Sequence, residues 1–252
     1  MSMPRSVAPE WLDRLPADDA RARRSRRDLH RLNGWMRQPA IMARGLRKTC
    51  ERPRTILDLG AGDGTFMLCV ARRLAPHWPD VRVVLLDRQD IVSAKTREGF
   101  AALGWRVDTI CADLFDFFAV TSPPAADIIT ANLVLHHFEA GRLRELFARV
   151  APVTQAFAAC EPRRGTLAWF ASRMVFALGC NDVTRHDAVV SVRAGFAAQE
   201  LSALWPPGWQ LHERAAPPFS HWFLAKRAGS VGAWRAKGMW RAKGAWRANG
   251  AP

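Results

Sequence analysis

A chain of 252 residues with 49% hydrophobic content can bury the core of one α/β domain with terminal additions. Its five scattered cysteines form no C-x-x-C pair or Cys/His cluster, which argues against a disulfide scaffold or a zinc site; reduced thiols and no metal are expected. The net charge of +14 divides into +8 over residues 1–54, −1 over 55–224 and +7 over 225–252, so the neutral centre gives no reason to require a nucleic-acid substrate.

The opening residues lack the apolar core of a signal peptide, and no run approaches the ~18 apolar residues of a membrane span. A soluble cytoplasmic protein without a membrane span is therefore expected. A helix is predicted from about Asp18, with Asp18 and Asp19 suited to its start. Leu29, Leu32 and Met36 recur at helical spacing, with arginines between them forming a solvated face. Residues 1–54 read as a basic helical cap.

The segment Thr55 to Phe66, TILDLGAGDGTF, reads as a buried strand, a tight turn and a helix start. Glycines in such a turn let the backbone reach positive φ and let a ligand lie against the main chain. A dinucleotide site wants G-x-G-x-x-G; here the spacing is G-x-G-x-G, and Thr65 fills the third small position. Asp58 ends the strand, where its charge would repel a pyrophosphate but suit a cationic ligand.

A second apolar run, Val81 to Asp90, ends on Asp87, where a carboxylate can accept ribose hydroxyls. Val107 to Phe118 and Asp127 to Phe138 follow, then a fifth strand ending near Glu161-Pro162. Thr166 to Cys180 is strongly apolar and suits a buried core helix or a lid over an apolar substrate better than an interfacial helix. Asn181 to Phe196 reads as a pocket-shaping insertion before a helix at AAQELSALWP. It holds His186 beside Asp187, a pair that can serve as a general base or make ordinary loop hydrogen bonds. Trp209 to Arg227 reads as two strands around a Pro-Pro loop. Gly232 to Asn249 is three copies of a hexad (GAWRAK, GMWRAK, GAWRAN). Residues 229–252 are thus a basic, Trp-containing repeat tail with little to bury, expected to be disordered.

The pattern D-x-G-x-G-x-G from Asp58 to Gly64 resembles motif I of the class I S-adenosylmethionine (SAM) methyltransferases. The motif order from Thr55 to Pro162 is similar to the type 11 and 12 methyltransferase families. The resemblance implies an α/β, Rossmann-like three-layer sandwich over residues 55–228. Its seven-stranded sheet would be mostly parallel with an antiparallel last strand. It also implies SAM as cofactor. Asp58 would lie near the methionine moiety. Gly60, Ala61, Gly62 and Gly64 would make room for it, Asp87 and Arg88 would lie at the ribose, and Asp113 and Leu114 at the adenine. Asn132 would line the floor. Each has a plainer reading: Asp87 as a turn former, Asp113 as a helix N-cap, Asn132 as a buried backbone partner. The implied reaction is methyl transfer to a small, fairly apolar acceptor on oxygen or carbon. His186 and then His137 are the candidate bases, although a structural role suits any of these histidines. The rivals are an RNA or protein methyltransferase recruited by the basic flanks and a non-catalytic SAM-binding domain. Asn132 is followed by Leu-Val-Leu rather than Pro-Pro-Tyr, which disfavours methylation of a base amino group.

Overall fold

Five short apolar runs form parallel strands at the centre of the molecule: β1 (Thr55–Leu59), β2 (Arg82–Asp87), β3 (Arg106–Cys111), β4 (Ala126–Asn132) and β5 (Thr154–Pro162). The structure, a computed structural model, describes residues 3–49, 51–119 and 125–228. A hairpin of β6 (Trp209–Ala216) and β7 (Ser220–Arg227) completes the sheet in the order β3-β2-β1-β4-β5-β7-β6. Strand β7 runs antiparallel to both its neighbours. This is the seven-stranded Rossmann-like architecture expected from the motif order.

Side chains alternate across a strand, so each run feeds two cores. Leu57 and Leu59 of β1 pack in one core with Phe117 of α5 (Leu114–Ala119) and Leu143 and Phe147 of α6 (Ala140–Val150). Ile56 packs in the other with Met42 of α2 (Gln38–Leu46), Met67 of α3 (Thr65–Leu74) and Phe100 of α4 (Ala94–Ala101). The strand order reverses between β1 and β4, which opens a crevice at the carboxyl ends of the strands, the usual ligand position in such sheets.

Two further helices meet above this end. Helix α1 (Ala20–Trp35) begins where Asp19 accepts a hydrogen bond from Arg21 N at 2.7 Å. It packs on α8 (Asp182–Ala194) through a polar seam. Thr184 Oγ1 bonds Ser25 Oγ at 2.9 Å, and Asp28 accepts from Asn181 N at 2.9 Å.

Three expectations after β5 are corrected. Thr166 to Cys180 is not a buried helix. It forms α7 (Thr166–Arg173) and a 3-10 turn (Met174–Leu178) with a narrow buried side of Ala168, Ser172 and Val175. Its larger apolar side chains face outward, because the segment lies outside both helical layers. Residues 182–194 are a helix rather than a loop, started by Asn181, whose side chain accepts from Thr184 N. AAQELSALWP forms turns with only a 3-10 piece at Ser202–Leu204. The buried Glu213 carboxylate takes the amides of Leu201 and Ser202 at 3.0 and 2.7 Å, and Pro206 stops any helix there. The repeat tail lies outside the described residues.

Candidate functional site

The turn after β1 uses positive φ at all three glycines, +63° at Gly60, +57° at Gly62 and +74° at Gly64. The first and second have different reasons to be glycine. A Cβ on Gly60 would lie 2.0 Å from Val134 Cγ2, so close packing excludes a side chain. A Cβ on Gly62 would meet nothing within 4 Å: its backbone borders open space, the feature a cofactor cradle needs. The turn is held from two sides. Gly62 N donates to Asp87 Oδ2 at 2.8 Å, and His30 Nε2 of α1 pairs with Asp63 Oδ2 at 2.8 Å. Burial opposes the charge on Asp63, but His30 outweighs it and holds that carboxyl below its ordinary range.

Asp58 sits under the turn, buried, and accepts a hydrogen bond from Thr130 Oγ1 at 2.6 Å. Burial, together with the nearby charge of Asp87, pushes its pKa up to about 7 against the opposing Thr130 bond. A cation arriving beside Asp58 would favour its ionised form. The buried Asn132 Oδ1 at the end of β4 has no hydrogen-bond partner among the described residues. A buried polar atom left unpaired is costly, and a bound ligand is one way to satisfy it.

Asp87 is the turn former of its plainer reading, with Oδ1 accepting from Gln89 N at 2.9 Å; its Oδ2 also accepts from Gly62 N, a tie to the glycine turn that sequence reasoning missed. Arg88 is exposed and lies 3.9 Å from Asp13. Ala61 N donates to Leu86 O at 3.1 Å, tying the turn to β2. Asp113 accepts from Phe115 N at 2.7 Å, so it does start α5, as its plainer reading had it, and Leu114 beside it is buried.

The histidines separate. His136 is buried between two carboxylates, Nδ1 2.8 Å from Glu161 Oε2 and Nε2 3.1 Å from Glu10 Oε1. Burial disfavours its charge, yet the two carboxylates prevail and raise its pKa to about 9. Glu161 also accepts from Val134 N and Leu135 N at 3.0 and 2.9 Å, which fixes the loop after β4. Both His136 nitrogens are engaged, so its role here is structural. Ligand atoms of Glu10, His136 and His137 lie within 4.8 Å of one another, a spacing a metal could also use. No spacing signal foretold this cluster, since Glu10 and His136 are 126 residues apart. His137 Nδ1 faces Asp13 Oδ2 at 3.3 Å, and the same Asp13 reaches Arg88, linking this histidine to the carboxyl end of β2. His186 lies on α8, with Nδ1 2.8 Å from Asp187 and its ring stacked on Trp11 at 4.0 Å. Among the described residues, no polar contact joins it to the glycine turn.

An N-terminal strap ties this end together. Arg5 donates to the carbonyls of Ala194 and Phe138, both at 2.8 Å. Glu10 meets His136, and Asp187 accepts the amides of Trp11 and Leu12 at 2.8 and 3.0 Å. A separate cavity of about 1050 Å³ opens at the amino ends of β1 to β3, lined by Arg52, Arg54, Arg82, Arg97, Trp78 and Trp105 among others. It lies at the wrong edge of the sheet for a switch-point site, so the chemistry belongs to the glycine turn despite the cavity's size.

Residues 56–156 match a family profile described as "Methyltransferase domain". These residues are a class I methyltransferase domain. They span strands β1 to β4 and the start of β5, so they contain the glycine turn, Asp87, Asp113 and Asn132. The methyl donor that such a domain uses is SAM, and the open backbone at Gly62 beside Asp58 and the unpaired Asn132 Oδ1 fit it. The fold around the methyltransferase domain is similar to the plantazolicin methyltransferase BpumL in complex with SAH (15% identity, 83% of this chain and 91% of that one, TM-score 0.60). It is also similar to an O-methyltransferase family protein from Burkholderia thailandensis (22%, 85% and 62%, TM-score 0.56). A third similar structure is human N-acetylserotonin methyltransferase in complex with SAM (15%, 85% and 61%, TM-score 0.54). No curated protein sequence matches the chain.

Proposed function

We propose that the chain transfers a methyl group from SAM to a small, fairly apolar acceptor, on oxygen or carbon. The observation that carries the donor half is the bare backbone at Gly62 between the carboxylates of Asp58 and Asp87. When bound, SAM supplies an electrophilic methyl group on a sulfonium. Asp58 would favour the positive end of the donor. Asp87, with Arg88 beside it, would lie at the ribose, Asp113 and Leu114 at the adenine, and Asn132 would use its unpaired oxygen on the floor.

Because a sulfonium methyl is reactive in itself, the protein's work is positioning and exclusion of water. The strap of residues 3–14 and helices α1 and α8 cover the carboxyl ends of the strands and suit that work. An acceptor hydroxyl also needs its proton taken if its pKa is high. His137 is the better-placed base, because Asp13 joins it to Arg88 at the carboxyl end of β2. His186 has the polarised form of a base, Nδ1 held by Asp187, but its Nε2 serves only an acceptor that reaches α8. Likeness to the plantazolicin and N-acetylserotonin methyltransferases supports a small-molecule acceptor.

Calorimetry with S-adenosylhomocysteine tests the donor half: no binding at millimolar concentration would overturn it. A coupled assay for S-adenosylhomocysteine release, run over a panel of phenols and other apolar hydroxyl compounds, tests the acceptor half. Turnover of RNA or protein but of no small molecule would refute it. His137→Ala is expected to lower kcat and to remove the low-pH fall in activity that protonation of a catalytic base causes, and an unchanged pH profile would remove the base assignment.

A further inference from the structure

Among the described residues, nothing covers the larger apolar side chains of residues 166–178. Leu167 and Phe170 are 72% and 61% exposed, and Met174, Phe176 and Leu178 between 45% and 56%. Single exposed apolar residues are ordinary, but five large ones within one short helical segment form a contact surface. The segment is too short to span a bilayer, and no helix among the described residues is long and apolar enough to do so.

Arginines border this surface. Arg173 lies 4.9 Å from the Trp169 ring centre, and Arg185 6.0 Å from that of Phe176. Arg24 and Arg31 of α1 reach across to the carbonyls of Gly179 and Leu178 at 3.3 and 3.1 Å, which places that helix beside the apolar segment. Helix α1 holds six arginines and a single acid, Asp28, which is buried against α8. Two further nearby acids, Asp19 at the start of α1 and Asp182, each pair with an arginine, Arg21 and Arg185, at 3.0 Å. Arginines still outnumber acids along the border, which leaves it net cationic around an apolar centre.

We propose that this face is a peripheral docking surface for an anionic lipid bilayer. Phenylalanine, leucine and methionine would enter the boundary between headgroups and acyl chains, and the arginines would meet anionic headgroups, the arrangement of interfacial helices. Charge decides against a second copy of the chain, because pairing through this face would bring two arginine-rich α1 helices together. It decides against nucleic acid too, since the centre of the face is aliphatic and aromatic rather than polar. The outward direction of Leu167 and Phe170 also means that they do not serve as an inward-facing lid.

The test is flotation of the full chain with vesicles of phosphatidylcholine alone and of phosphatidylcholine mixed with phosphatidylglycerol. Binding is expected only to the anionic vesicles, weakening as salt is raised. The double variant Phe170→Ser with Phe176→Ser should lower partitioning roughly tenfold or more. Leu167→Ser with Met174→Ser serves as a second pair, so the result does not hang on one variant's folding. The basic segment 229–252 is present in every protein, so equal binding by wild type and both folded variants would assign binding to that segment and overturn the proposal. Absence of binding to anionic vesicles would overturn it as well. So would a dimer in sedimentation velocity that the same substitutions dissolve while vesicle binding is unaffected.

Discussion

Cofactor affinity is expected to depend on pH through Asp58, and to do so for SAM more than for S-adenosylhomocysteine. In the free protein the Asp58 carboxyl is pushed up to about 7, first by burial and then by Asp87. At about pH 6 roughly a tenth of the molecules carry the carboxylate, and at about pH 8 roughly nine tenths do. If the sulfonium binds to the ionised form, apparent affinity scales with that fraction, a rise of roughly tenfold or about 1 kcal/mol. S-adenosylhomocysteine has the same amino acid and nucleoside groups but a neutral sulfur, so it reports every other titration and subtracts it. Titration calorimetry of both ligands at the two pH values, in buffers of different ionisation enthalpy, gives the affinities and the protons released. Asp58→Asn keeps the shape and the Thr130 bond and should flatten the difference between the ligands. The same shift has a sign for stability. The folded pKa exceeds the unfolded one, so the unfolded chain ionises first, and Asp58 costs stability increasingly as pH rises from about 4 to 7. Asp58→Asn should therefore stabilise the ligand-free protein above pH 7, by up to about 4 kcal/mol. Identical pH dependence for both ligands, or a SAM profile that Asp58→Asn leaves untouched, would refute the reasoning.

Gly60→Ala and Gly62→Ala should part company. The first meets Val134 and should lower the urea midpoint sharply, whereas the second meets open space and should cost only about 1 kcal/mol of backbone strain while weakening SAM binding by roughly tenfold or more. Breaking the buried triad with Glu161→Ala should cost about 3–5 kcal/mol in urea unfolding, since it strands the His136 charge and two loop amides. The raised pKa of His136, about 9, contributes stability that is complete below its unfolded value and is lost as pH rises through about 9. Urea midpoints between pH 6 and 10 should fall accordingly, and Glu10→Gln should flatten the fall.

The glycine turn and the strand ends around it were legible because their information is local. Asp58, the alternating glycines and the strand ends at Asp87 and Asn132 lie within short runs whose order determines the topology. Asp113 was legible in both its readings, and the structure supports the capping one without removing the other. The part after Glu161 was less legible, for two physical reasons. Apolar character alone does not say whether anything covers a segment, so Phe170 and Leu167 read as buried when only the small side of α7 rests on the fold. Residues 182–194 looked like an insertion because their buried side is mixed: Thr184 and Asp187 satisfy partners in α1 and the strap and interrupt the apolar stripe of Val183, Val192 and Ala194. The Glu10–His136–Glu161 triad was invisible for a third reason, since it is assembled from three distant parts of the chain.

The strap has a consequence for the order in which the molecule is made. Arg164 donates to the carbonyl of Met3, 161 residues earlier, and Arg5 donates to Ala194, 189 residues later. During synthesis these residues leave the ribosome well before the partners they meet just after β4, just after β5 and in α8 are made. Closing loops of that length comes late in folding. The crevice above the glycine turn is thus completed by residues made long before their partners, and the cofactor cradle can assemble before its cover is fixed.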